Sequence, residues 1–186
     1  MEHAGEVWQE FKTNGQRAGG VVPAELDKSK VVLLSGAAVM LYRFRNGEVE
    51  FLFQHRSKKL KANPDKWDTS AGGHVNLNEE NLDTAVREAY EEIGARIDAG
   101  ALEIAATYRR RSEAPEMLVV LYFYDWGDRS DDFHFDDGEV EEVKWVKYAE
   151  LDAFWPKLKS ILAEDVIFRH YLDEWNARVL KRNENL

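Results

Sequence analysis

The chain has 186 residues, 44% of them hydrophobic, with a formal net charge of −10 and a sequence pI of about 5.0. That length suits one domain with a sizeable core, and the acidic balance sets the surface against nucleic acid, anionic membranes and phosphorylated ligands unless local basic groups or a metal intervene. Cysteine is absent, which excludes disulfides, thiolate zinc sites and a cysteine nucleophile.

Taken from the start, "MEHAGEVWQEF" has neither a basic start nor an apolar run, and no stretch approaches the roughly 20 apolar residues of a membrane span. A soluble cytoplasmic protein, without membrane or nucleic-acid partners, is the expectation. In "VWQEFKTNGQRAGGVV" the Asn14-Gly15 pair predicts a small β-hairpin within residues 1–29, followed by the polar connector "PAELDKSK". "VVLLSGAAVMLYRF" is apolar enough for a buried strand, and Asn46-Gly47 turns it into the alternating "EVEFLFQHR", a second hairpin. "SKKLKANPDKW" reads as an exposed basic loop.

Beyond that loop an acidic helix is predicted, with Asn78 as N-cap, Glu79 and Glu80 at the positive end of the dipole, and Gly94 as its stop. Leu82, Ala85, Val86, Ala89 and Ile93 form its apolar stripe. "ALEIAATYRR", "MLVVLYFYDW" and "EVEEVKWV" supply further strands, and "YAELDAFWPKLKSILAEDVIFRHYLDEWNARVL" reads as two helices, the first interrupted near Pro156. Strands, helix, strands and helices in that order predict an α+β fold, a mixed β-sheet flanked by helices. The C-terminal Trp155, Phe168, Tyr171 and Trp175 suit either core packing or a homodimer interface, so both monomer and homodimer stay open.

Glu88, Glu91 and Glu92 lie three and four residues apart, so a helix brings all three carboxylates out on one flank. A solvated acidic face with Arg87 bridging to Glu91 is one reading. A site for a hard divalent cation, Mg²⁺ or Mn²⁺, is the other.

The surrounding pattern is Gly73, Glu79, then Arg87-Glu88-Ala89-Tyr90-Glu91-Glu92-Ile93-Gly94-Ala95. It resembles the Nudix box, G-x5-E-x7-R-E-U-x-E-E-x-G-U, with every fixed identity present and alanine at both U positions, which usually hold bulkier aliphatic residues. Chance would give such a match on the order of once in a million chains of this length. The resemblance implies a Nudix-type α/β/α sandwich with its core over residues 30–155, an N-terminal hairpin over 1–29 and a C-terminal helical segment over 156–186, all one domain spanning 1–186.

What the resemblance implies for chemistry is a diphosphate hydrolase with Mg²⁺ as cofactor, Mn²⁺ being possible, and a small-molecule diphosphate as partner. Glu88, Glu91 and Glu92 would be the metal ligands, joined by the backbone carbonyl of Gly72. Arg87 would orient the glutamates and Glu79 would support the metal shell. A base outside the box falls to Glu139, with Asp136 and Asp137 as competitors. Gln54, Arg56, Lys58 and Lys59 sit where a terminal phosphate could be met; Arg109, Arg110 and Arg111 form a second cationic run; Trp67, Tyr108 and Phe133 could stack on a base, and His74 could touch substrate. The segments "WQEFKTNGQRAG" and "FLFQHRSKKLKANPDKWDTSAGGHV" are similar to the subgroup that includes isopentenyl-diphosphate isomerases and their hydrolytic relatives. The type I isomerase needs a cysteine, so its absence favours hydrolysis.

Overall fold

A computed structural model describes residues 7–11, 17–23, 33–110, 116–158 and 166–184. Nine strands among these residues form one mixed network. At its centre is β3 (Leu33–Arg45), which pairs in parallel with β8 (Glu116–Asp125) along one edge. Along the other it meets β6 (Ala71–His74) and then β4 (Glu48–Arg56), both antiparallel. β4 continues the sheet to β9 (Val140–Lys147) and the short β5 (Trp67–Asp68), while β7 (Glu103–Arg110) pairs with β8.

The predicted hairpins are there. β3 turns into β4 through Asn46 (φ 55°) and Gly47 (φ 82°), the two left-handed residues that a type I′ turn requires. β1 (Val7–Phe11) and β2 (Arg17–Pro23) run antiparallel, and the Asn14-Gly15 turn between them lies outside the described residues.

β3 reads as a continuous apolar run because both of its faces are covered. Ala38, Met40 and Tyr42 face one core, while Ala37, Val39 and Leu41 face the other. The first core is closed by the C-terminal helix α3 (Val166–Asn183), whose Phe168, Leu172, Trp175 and Val179 recur at helical spacing. Trp175 stacks on Phe123 with centroids 4.3 Å apart and meets Tyr42 edge-on. These aromatics pack within the chain, and Trp155 and Tyr171 lie half-buried against the same core. The first of the two predicted C-terminal helices is the short α2 (Leu151–Phe154), followed by a 3₁₀ turn that contains Pro156. Phe168→Ala should lower stability by about 3–5 kcal/mol in urea unfolding; a loss below about 1 kcal/mol would mean that α3 does not close this core.

The second core lies under α1 (Asn81–Ile93). Ala85, Ala89 and Ile93 are fully buried, Val86 is half-buried, and Leu82 is left 37% exposed, so the stripe is one residue shorter than predicted. Ala89 and Ala95, the two small residues at the U positions, are both buried there. The helix also starts later than predicted. Its N-cap is Glu80, whose N–H donates to Asp83 Oδ2 (3.0 Å), while Asn78 holds a left-handed turn (φ 69°) ahead of it. Gly94 ends the helix as predicted, at φ 68°, donating to Tyr90 O (2.9 Å). No helix of the described residues is long and apolar enough to cross a membrane.

Candidate active site

Arg87 is the node of the acidic cluster. Its Nε and Nη2 grip the two oxygens of Glu79 (2.8 and 3.0 Å), its Nη1 donates to Glu88 Oε1 (2.8 Å) and Glu91 Oε2 (2.9 Å), and its Nη2 also reaches His74 O (3.2 Å). All five N–H donors of the guanidinium are thereby engaged. Burial pushes the Arg87 pKa down, but the hydrogen bonds and charges of Glu79, Glu88 and Glu91 outweigh it, so the group is held above its ordinary value. Burial likewise pushes Glu79 up. The bonds from Arg87 and from Thr84 Oγ1 (2.9 Å) prevail and hold it below the usual carboxylate range.

Glu92 is the deepest of the four acids, 3% exposed. Its Oε2 accepts from Gly72 N (2.8 Å) and from Gln54 Nε2 (3.1 Å). Burial, followed by the charge of Glu88, raises its pKa well above the ordinary value. Gln54, at 1% exposure, carries a buried Oε1 with no hydrogen-bond partner. It therefore lies under the carboxylate, not on an open phosphate-facing surface.

Other residues named from sequence converge here. Arg56 and Glu139 both act electrostatically on Glu92, and Ser57 N donates to Glu139 O (2.7 Å), which brings the end of β4 against the loop before β9. Arg56 Nη2 donates to Ala62 O (3.3 Å), while its Nε is buried and unpartnered. Lys58 stands exposed at the rim with its N–H on Glu141 Oε1 (3.0 Å). Asp137 Oδ1 accepts from Glu139 N (2.8 Å), and Asp137 has its pKa raised by burial and by the charge of Glu91, so it shares the site with Glu139. Asp136 instead lies exposed beside His134.

The second cationic run is elsewhere. Arg109 sits on β7, which β8 separates from β3, and is ion-paired with Glu116. The Arg110 side chain and Arg111 lie outside the described residues. Trp67 packs on His55 and Phe154, Phe133 on Trp126, and Tyr108 against the first core, which gives each a structural occupation. His74 stacks on Trp8. Sequence reasoning also missed Arg43, 6% exposed, which binds Glu50 (2.6 Å) and Asp131 (2.8 Å) and anchors the start of the loop that carries Asp137 and Glu139. A basic residue inside an apolar strand run was the available signal.

The NUDIX domain matches residues 34–165. The chain belongs to that family. It is accordingly an enzyme, a Nudix-type diphosphate hydrolase. The fold is similar to a C. elegans Ap4A hydrolase in a binary complex (19% identity, 78% of this chain and 97% of that one, TM-score 0.60). It is also similar to the MutT protein from Methanosarcina mazei Go1 (20% identity, 78% and 96% covered, TM-score 0.63). A third is the NUDIX domain of Shewanella oneidensis NrtR complexed with ADP ribose (18% identity, 81% and 94% covered, TM-score 0.62). At these identities the likeness concerns the fold. No curated protein matches the chain.

NUDIX enzymes generally use divalent metals, and the donor set here fits one. Every candidate donor is a hard oxygen, and two of the acids meet on a single Arg87 nitrogen. Burial disfavours the ionised form of the third, Glu92, which a cation would stabilise. Among the described residues no three acids converge at ligand distance; Arg87 draws Glu88 and Glu91 to itself.

Two outcomes follow from this packing. A Cβ on Gly73 would fall 2.0 Å from Glu88 Oε1, so Gly73→Ala must push that side chain aside. Activity should drop by about tenfold with the fold retained by circular dichroism, and unchanged activity would show that Glu88 has another working position. The Glu92 pKa is raised above its unfolded value of about 4.3. Below that value both states hold a neutral carboxyl, and the stability associated with neutral Glu92 is lost as pH rises through the folded pKa. Metal-free Glu92→Gln, whose amide oxygen can still accept from Gly72 and Gln54, should therefore melt higher than wild type at neutral pH, by about 2–4 °C per kcal/mol relieved. The gap should close near pH 4; a gap that persists there would rule out the buried charge as its source.

Proposed function

We propose that the protein is a Mg²⁺-dependent hydrolase of a nucleoside diphosphate linked to a further moiety, with water attacking phosphorus. The observation that carries the reading is the Arg87 node, which gathers Glu79, Glu88 and Glu91 beside buried Glu92. Glu88, Glu91, Glu92 and the Gly72 carbonyl are the proposed ligands for Mg²⁺ or Mn²⁺. A bound metal supplies charge neutralisation of the diphosphate and a more acidic water.

The chain's own groups do the rest. Arg87 holds Glu88 and Glu91 together, and Glu79 fixes Arg87 in turn. Glu139 is the proposed acceptor of the water's proton, placed by the backbone bond from Ser57 and close enough to Glu92 to affect it electrostatically. Arg56, half-buried and near enough to Glu92 to act on it electrostatically, is the proposed contact for a phosphate oxygen, with Lys58 at the rim. This end of β4 and its basic loop is also the segment similar to the isopentenyl-diphosphate isomerase-like subgroup. With no cysteine in the chain, hydrolysis is favoured over isomerisation. We assign no substrate role to Arg109, which is engaged by Glu116.

The test is a product assay with Mg²⁺ or with EDTA, on dinucleotides, nucleotide sugars, nucleoside triphosphates and isopentenyl diphosphate. Turnover that stops in EDTA and releases a nucleoside monophosphate is the expected result. Conversion of isopentenyl diphosphate without phosphate release would place the protein with the isomerases. Turnover that persists in EDTA would remove the divalent metal from this reading.

A further inference from the structure

The segment His74–Leu77, which continues from the end of β6 through the first positions of the box, is held from two sides. On the inner side Val75 N donates to Ser35 O of β3 (2.9 Å). On the outer side lies β1, whose residues precede the span 34–165 matched by the family. Gln9 N donates to Val75 O (3.2 Å), Leu77 N donates to Val7 O (2.9 Å), and Trp8 bridges Asn76. The Trp8 ring is fully buried and stacks on the His74 ring, centroids 3.9 Å apart and planes inclined by 12°.

The clamped segment connects directly to the carboxylates. His74 O accepts from Arg87 Nη2, and Asn76 N donates to Glu79 Oε2 (3.2 Å), the same oxygen that Arg87 grips. Arg87 in turn holds Glu88 and Glu91. Three contacts therefore link the Trp8 ring to the acids, through His74 and then Arg87. β1 also pairs with β3, at Glu10 and Leu34, so the clamp is tied to the central strand.

We propose that β1, through Trp8, is a positioning element of the active site: it fixes His74–Leu77 so that Arg87 and Glu79 hold Glu88 and Glu91 in register for a divalent cation. The inference rests on the metal-site reading above. Groups that orient ligands from behind typically alter metal affinity by about 10–100-fold when removed.

The experiment is a Mn²⁺ titration followed by electron paramagnetic resonance, at a temperature where each protein is folded, on wild type, Trp8→Ala, Trp8→Phe, His74→Ala and Trp175→Leu. Trp175 lies in the opposite core, so its variant serves as a destabilised control. Trp8→Ala and His74→Ala should weaken Mn²⁺ binding about tenfold. Trp8→Phe, which keeps a stacking ring, should recover most of it, and Trp175→Leu should bind as wild type does. Equal affinity in all variants would overturn the inference, as would equal weakening in the Trp175 control. Absence of Mn²⁺ binding by the wild type would instead overturn the metal-site reading. If Trp8→Ala does not fold, His74→Ala against Trp8→Phe decides the matter.

Discussion

Glu91→Gln is expected to lower kcat by about 10³-fold or more while leaving the unfolding curve nearly unchanged. The separation follows from where the side chain sits. The Glu91 side chain is 51% exposed and binds Arg87 through one oxygen in an i,i+4 pair, and such surface pairs contribute well under 1 kcal/mol. Removing its charge leaves Arg87 on Glu79 and Glu88, so the frame stays in place and only a ligand is altered. Steady-state kinetics beside a urea titration would check both halves. Activity retained within tenfold would remove Glu91 from the proposed ligand set.

Arg87→Met is expected to disable both the frame and the chemistry. It leaves Glu79, Glu88 and Glu91 without their shared cation, and Glu79 and Glu88 are half-buried or deeper. The stability loss should be about 2–4 kcal/mol, below the full cost of breaking a buried pair because the Arg87 side chain is 21% exposed. Activity should fall about 100-fold, the upper end of what a lost orienting group costs. Arg87→Lys is the sharper comparison. A lysine offers three donors on one nitrogen, whereas five directed bonds to four residues are made here. It should restore part of the stability and little of the activity. Full rescue by lysine would show that charge alone suffices.

The sequence made some of this legible and hid the rest for physical reasons. Asn46-Gly47 announces its turn because the left-handed backbone there depends on those two residues alone. The box carboxylates were visible because helical spacing is a local property. Asn78 was misread as the N-cap because Glu79 is drawn away from the helix onto Arg87, a contact that local propensity cannot register. Leu82 was placed in the stripe for the same reason, since a helix that begins at Asn81 leaves it in the first turn at the edge of the core. Gln54 was set beside a phosphate because it falls near the end of the alternating strand, next to the basic loop, and only the fold shows that the acid above it is Glu92. Trp8 gave no signal of its role, because its partner His74 is brought to it by a strand pairing that involves β3.

The parallel pairing of β3 with β8 runs from Leu33 opposite Glu116 to Tyr42 opposite Asp125, joining residues some 83 positions apart. A hairpin such as β3–β4 closes in microseconds, whereas a contact of that separation must first overcome the entropy of a long loop. During synthesis the box emerges well before β8. The core under α1 takes Tyr122, Tyr124, Trp126 and Val140 from that later part of the chain. A nascent chain that stops after Ala95 thus carries every residue of the box on an unfinished support, and a cation arriving then meets loose carboxylates instead of a formed site.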